Sequence, residues 1–96
     1  MPLTGPRYSH ARRLAQRKIA GEIFVVDPAN KCLHQPQGVA ESIWEWLAKG
    51  ATEGELVQAV LREYDVDPGT AGRDVRRFVR ELVRKRLVEE VPLAHE

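Results

Sequence analysis

The pattern of hydrophobic residues divides the chain into strands followed by helices, with the change at Gly38. Residues 22–27 are Glu-Ile-Phe-Val-Val-Asp, and β-branched and aromatic residues of this kind favour a strand. Because apolar side chains point to both faces of this strand, we expect it to be covered on both sides. Asp27-Pro28-Ala29-Asn30 predicts a turn, after which residues 31–35 return as an antiparallel strand.

The stretch before this hairpin gives a weaker signal. Residues 17–19 are compatible with a preceding strand, and the basic residues 9–16 fit either a helical turn or a flexible segment. We therefore predict a flexible basic segment over residues 1–15, one folded domain over residues 16–90 and a flexible tail over residues 91–96.

Three helices are predicted after Gly38. The first presents the stripe Val39, Ile43 and Leu47 and ends near Gly50. The second begins at the capping-box sequence Thr52-Glu53-Gly54-Glu55, and the third begins at Asp67-Pro68. Their buried faces consist of Leu56, Val57, Val60, Leu61 and Tyr64 in the second helix, and Val75, Phe78, Val79, Leu82 and Val83 in the third.

The third predicted helix also carries a cationic stripe. At about 100° per residue, its apolar face centres near Val75 and Leu82, and five arginines gather opposite, adjoining Val79 and Val83. The arginines are Arg73, Arg76, Arg77, Arg80 and Arg84. Such a stripe suits a groove for an acidic, amphipathic segment. A solvated helix face with local acidic partners is an equally open interpretation.

Composition and charge narrow the class of protein. The 96 residues fit one small domain, and 15 basic against 14 acidic side chains are too balanced for a general polyanion binder. The charges are segregated, however: residues 73–88 carry seven basic and two acidic side chains, and residues 39–72 carry two and seven. This dipolar pattern favours oriented docking to a partner.

The sequence offers no arrangement typical of catalysis, metal binding or a cofactor site. His10, His34 and His95 are scattered, and Cys32 with His34 supplies two potential ligands where a closed zinc site needs four. The lone cysteine suits a reducing compartment, and the longest run of large apolar residues, 23–26, is far too short for a membrane span. We therefore expect a cytoplasmic, non-enzymatic protein without a cofactor or a metal.

The order of elements resembles the PqqD-like family, small proteins of pyrroloquinoline-quinone synthesis and related peptide-modification pathways. The residues that carry the resemblance are Asp27-Pro28, Gly38, Ile43-Trp44-Glu45-Trp46-Leu47, Leu56-Val57, Tyr64-Asp65-Val66-Asp67, Asp74-Val75, Phe78, Leu82, Leu87 and Val88. They extend from about residue 21 to residue 89. Gln35-Pro36-Gln37 replaces the family's usual Leu-Asn, and residues 48–51 lack its Cys-Asp-Gly, so the chain is more similar to a general PqqD-like protein than to the quinone-pathway member.

The resemblance implies an α+β, winged-helix-like fold, with short antiparallel N-terminal strands followed by a three-helix bundle. It also implies a peptide chaperone that binds the leader of a precursor peptide and presents it to a modifying enzyme, commonly a radical S-adenosylmethionine protein. It further implies that the leader adds a strand to the third strand of the sheet and lies against the third helix. Transferred to this sequence, the peptide-binding positions are Lys31, Cys32, Leu33, His34, Gln35, Arg76, Val79, Arg80, Val83 and Arg84.

Two other functions remain open from the sequence. A winged-helix nucleic-acid binder could insert the arginine-rich third helix into a major groove, although the acidic second helix opposes a phosphate backbone. An assembly adaptor could instead dock an enzyme through the arginine face. The oligomeric state and the identities of the precursor peptide and the modifying enzyme do not follow from the sequence.

Overall fold

Strands and helices follow one another in the computed structural model of this chain, which describes residues 5–91. The strands within that range are β1 (Arg7–His10), β2 (Ala15–Ile19), β3 (Glu22–Asp27), β4 (Cys32–His34), β5 (Ala51–Thr52) and β6 (Val88–Glu90). The helices are α1 (Val39–Trp46), α2 (Glu53–Glu63) and α3 (Pro68–Arg84), and a 3-10 turn (Leu47–Lys49) follows α1. The fold is thus α+β, with antiparallel N-terminal strands and three helices, as predicted.

The strands form two antiparallel sheets of three strands each within residues 5–91. One sheet has the order β2-β3-β4, and the other has the order β5-β1-β6. In the first sheet Val26 of β3 lies opposite both Ala15 and Leu33, so these three side chains form one row across the sheet. The last predicted strand is shorter than expected, because Lys31 adopts a left-handed conformation with φ 54° and belongs to the turn.

Local capping interactions start α2 and α3 where the sequence predicts. The Thr52 hydroxyl accepts a hydrogen bond from the Glu55 amide at 3.1 Å, and the Glu55 carboxylate accepts one from the Thr52 amide at 3.1 Å. Asp67 accepts from the Thr70 amide at 2.9 Å, with Pro68 in the first turn. Each cap satisfies amides that have no partner inside the helix, which explains why a few residues fix these boundaries.

The hydrophobic core lies between the β2-β3-β4 sheet and the three helices. Its largest buried apolar side chains are Val25, Trp44, Leu47, Leu56, Val75 and Val79. Ile23 and Val25 point inward from β3, but Val26 is 41% exposed and Leu33 is 64% exposed on the outer face of the sheet. The expectation that both faces of this strand are covered is therefore wrong, because Ile23 and Val25 join a core formed with buried residues of all three helices, whereas Val26 on the opposite face is exposed.

The N-terminal segment contains a strand where the sequence predicts flexibility. β1 pairs with β5 and β6, and the Arg7 guanidinium donates two hydrogen bonds of 2.9 Å to the Glu55 carboxylate. Long-range pairing and this charged contact hold residues 7–10 in place, which their local composition does not reveal. Residues 1–4 and 92–96 of the predicted flexible segments lie outside the described residues.

Candidate functional site

The outer edge of β4 is the starting point of the site. β4 lies at one end of the β2-β3-β4 sheet, and among residues 5–91 no strand pairs with its outer side. An edge strand presents unpaired amide and carbonyl groups to which another polypeptide can add. Cys32 and Leu33 are exposed and His34 is partly buried, so the strand is accessible along its length.

A groove separates this edge from α3. Its volume is about 260 Å³, and it lies between β4 with the following two residues on one side and α3 on the other. The strand side consists of His34, Gln35 and Pro36, the helix side of Phe78, Glu81 and Lys85, and the floor of Val25, Trp44, Leu82 and Leu87. The groove is thus apolar at its floor and charged at its helical rim, which suits a peptide side chain that is partly hydrophobic.

Hydrogen bonds hold the tryptophan in the floor of the groove. The indole N–H of Trp44 donates to Gln16 Oε1 at 3.1 Å, and the ring stacks on His10 with centroids 3.8 Å apart. His10 Nε2 lies 2.7 Å from the Trp44 carbonyl oxygen, and Gln16 Nε2 lies 2.9 Å from His10 Nδ1. Burial lowers the pKa of His10, although the hydrogen bond to the Trp44 carbonyl opposes this shift. The floor of the groove is therefore built on a neutral imidazole.

A cationic hollow continues the groove toward the β3–β4 turn. Arg84, Lys85 and Arg86 line it from the end of α3, and Cys32 and His34 line it from β4. The buried Asp27 beneath them accepts hydrogen bonds from the Arg13 guanidinium at 3.1 and 2.9 Å and from the Asn30 amide at 2.8 Å. These hydrogen bonds lower the pKa of Asp27 to about 2, so its carboxylate is charged. Because Arg13 compensates that charge, Arg84, Lys85 and Arg86 make the hollow cationic.

The structure brings together only some of the residues expected to bind a peptide. His34 and Gln35 line the groove, and Cys32, His34 and Arg84 line the hollow. Leu33 points to the outer face of the sheet, and Lys31 lies in the turn.

The other α3 positions differ from the expectation. Val79 is 1% exposed and belongs to the core, so it presents no surface to a peptide. Arg76 and Arg80 lie on the helix face away from β4, where Arg76 Nε is 4.0 Å from Glu53 Oε1. Val83 is exposed but does not line the groove. The periodicity correctly separates the faces of α3, but the border that carries Phe78 and Glu81 faces β4, not the arginine border.

Sequence reasoning missed the helix side of the groove. Periodicity predicts Phe78 as a core residue of the third helix, and it does not single out Glu81 or Lys85, all three of which line the groove. The available signal was the position of Phe78 and Lys85 on the same side of α3, seven residues apart, which is two helical turns. Periodicity identifies the two borders of the helix but does not tell which of them faces β4. That depends on how α3 packs against the sheet.

The described part of the chain shows no grouping of three or more potential metal ligands. Cys32 is exposed, and its thiol donates to the Asn30 carbonyl at 3.3 Å. None of the helices within residues 5–91 has the length and apolar character needed to cross a bilayer.

The fold and the groove define a class of small α+β domain that leaves one sheet edge open beside a helix. The sequence pattern of the PqqD family, described as coenzyme PQQ synthesis protein D, matches residues 22–88, and this chain belongs to that family. Among curated protein sequences, none matches the chain.

Two solved structures share the fold. One is TbiB1 in complex with the TbiA(beta) leader peptide, which is 28% identical with a TM-score of 0.78, covering 88% of this chain and 99% of that one. The other is lasso peptide synthetase B1 complexed with the leader peptide, which is 19% identical with a TM-score of 0.72, covering 88% of this chain and 98% of that one.

Proposed function

We propose that this protein is a peptide chaperone that binds the leader of a ribosomally made precursor peptide. The observation that carries the proposal is the open edge of β4 beside an apolar groove, in a fold whose neighbour TbiB1 was solved with a leader peptide. Nothing in the family match or in either neighbour supports the nucleic-acid-binding alternative.

The leader binds as a fourth strand against β4 in this proposal. Main-chain hydrogen bonds to the edge supply affinity with little demand on sequence, and the groove supplies specificity. Side chains alternate between the faces of a strand, so every second leader residue points into the groove toward Phe78 and Lys85. Because Arg84, Lys85 and Arg86 surround the adjoining hollow, acidic leader residues are favoured at that end.

The protein performs no chemistry itself in this proposal. Holding the leader keeps the attached core peptide near a bound modifying enzyme, which raises its local concentration there. The radical S-adenosylmethionine class stays the prediction for that enzyme, and a cytoplasmic location stays the prediction for the complex.

Calorimetric titration with synthetic leaders from the short reading frames beside this gene tests the proposal. We expect one of these peptides to bind, whereas its scrambled version and a random DNA duplex of about 20 base pairs do not bind at physiological salt. Amide hydrogen exchange of the complex should show new protection in residues 32–35. Absence of leader binding, or protection confined to other parts of the chain, contradicts the proposal.

Two substitutions on α3 locate the peptide. Phe78→Ala removes a wall of the groove and should weaken leader binding at least about tenfold, since burying an aromatic side chain contributes more than about 1.4 kcal/mol. Arg80→Ala, on the far side of the helix, should change the affinity less than about twofold. If Phe78→Ala does not fold, Phe78→Leu retains the packing and still reshapes the groove. The opposite ranking of the two positions would restore the arginine face as the peptide site.

A further inference from the structure

The arginine face of α3 is a surface that lies mostly outside the proposed leader site. It consists of Arg73, Arg76, Arg77, Arg80 and Arg84, which line a shallow concavity together with Glu81. The side chains of Arg77 and Arg84 are 75% and 74% exposed. A helix of 17 residues thus carries five cations on one side. Four of them line neither the groove nor the hollow, and only Arg84 also lines the hollow beside β4.

Local acidic partners do not account for this concentration of charge. Arg77 pairs with Asp74 at 2.8 Å, but Arg84 is 3.8 Å from a Glu81 carboxylate that Lys85 approaches at 3.3 Å. Arg80 makes no ion pair within residues 5–91. Like charges four residues apart on a helix repel, as at positions 73 and 77, 76 and 80, and 80 and 84. The face therefore lowers the stability of the free helix, and an external anionic partner would relieve the repulsion.

The arginine face and the groove can be occupied together. At about 100° per residue, Phe78 and Lys85 lie on one border of α3, and Arg76 and Arg80 lie on the other. Glu81 lies between the two surfaces and contributes to both. A chaperone with two separate contact surfaces can hold the peptide and the enzyme at the same time, which raises the local concentration of the peptide at the enzyme.

We propose that the arginine face of α3 docks an acidic surface of the enzyme that modifies the bound peptide. This inference rests on the proposed leader-binding function. Guanidinium groups bind carboxylates through two parallel hydrogen bonds, so a set of acidic side chains matches the face in charge and geometry. Val83, 43% exposed beside Arg76 and Arg80, adds an apolar contact at the border of the face.

The surroundings of the face favour a protein over a nucleic acid. Glu53 at the start of α2 lies 4.0 Å from Arg76, and Glu81 lines the same concavity. These carboxylates repel a continuous phosphate backbone, but a protein surface can place a neutral or basic residue opposite them.

The experiment measures binding of the full chain to the modifying enzyme encoded beside the precursor gene, by calorimetry with and without the leader peptide. The test variant is Arg73→Glu with Arg77→Glu, two arginines of the face that line neither the groove nor the hollow. The control variant, Lys49→Glu with Arg62→Glu, produces the same change in net charge at exposed positions outside α3. We expect the test variant to weaken enzyme binding at least about tenfold and the control less than about threefold. Both variants should bind the leader as the unmodified chain does.

Each outcome separates this inference from the proposed function. If the unmodified chain fails to bind the leader, the proposed function fails and this inference fails with it. If the leader binds but the test variant binds the enzyme as the control does, only the docking surface is wrong. If the test variant loses binding to a random DNA duplex and not to the enzyme, the arginine face binds nucleic acid and the inference is overturned.

Discussion

Trp44 belongs to the core, lines the groove and contacts the N-terminal segment. The residue is 2% exposed, and its ring forms part of the groove floor and stacks on His10. Because the Trp44 carbonyl only accepts hydrogen bonds, His10 Nε2 carries the proton, and Nδ1 accepts from the Gln16 amide. Gln16 Oε1 then accepts from the Trp44 indole, which closes a ring of three hydrogen bonds that requires neutral His10.

This ring of hydrogen bonds predicts a pH dependence of stability. Because burial lowers the pKa of His10 in the folded chain, the unfolded chain binds the proton more readily. The free energy of unfolding should be highest above the ordinary histidine pKa of about 6.5 and should decrease as the pH falls below it. Urea unfolding at about pH 7.5 and about pH 5.5 measures the difference.

Substitution of the two described histidines provides the control. His10→Gln should reduce this decrease in stability, whereas His34→Gln should retain it. The carboxylates of Asp27, Glu55 and Asp67 have lowered pKa values, so stability that depends on their charge is lost only at more acidic pH. An equal pH dependence in the His10 variant and in the unmodified chain would contradict the prediction.

At the scale of elements, the sequence predicts those features of the helices that depend on interactions between residues close together in the chain. The caps at Thr52 and Asp67 and the apolar stripes of the helices depend on residues close together in the chain, and the structure has them as expected. The groove depends on which border of α3 faces β4, and that is decided by packing between distant segments. Phe78 and Lys85 therefore could not be assigned to the groove from periodicity alone.

The open edge of β4 predicts which peptide amides matter. We expect leader peptides methylated on alternate backbone nitrogens to fall into two classes, because alternate amides of a strand point toward and away from its neighbour. The peptide whose inward amides are methylated should lose at least about tenfold in affinity, since each hydrogen bond contributes about 0.5–1.5 kcal/mol. The peptide whose outward amides are methylated should bind nearly as tightly as the unmodified leader does. Fluorescence anisotropy measures both, and equal affinities would contradict strand addition.

At the scale of the whole molecule, the N-terminal segment completes the fold. The family pattern covers residues 22–88, whereas β1 precedes that range and pairs with β5 near the middle of the chain and β6 near its end. Tyr8 lies opposite both Ala51 and Glu90, contacts separated by more than 40 residues. Such pairing leaves no local hydrophobic pattern, which explains why this second sheet could not be predicted from the sequence.

Removal of residues 1–10 should therefore destabilise the entire protein. The deletion removes β1, the Arg7–Glu55 contact and the His10 stack, and we expect the melting temperature to fall by at least about 10 °C. Arg7→Ala, which removes the partly exposed ion pair and the hydrogen bond to the Gly50 carbonyl but keeps β1, should lower it by a few degrees, about 1 kcal/mol. Thermal unfolding followed by circular dichroism measures both. A truncated chain that melts within about 2 °C of the full chain would show that β1 is dispensable.

The uncovered outer row of the first sheet has a consequence for any guest strand on β4. Val26 and Leu33 are exposed neighbours on this outer face. A peptide strand added to β4 would extend their row of side chains, and no part of the described chain covers that row. Half of the side chains of the added peptide strand would be buried against α3, and the other half would remain exposed to solvent. A modifying enzyme could thus contact these side chains while the peptide is still bound, without dissociating it from β4.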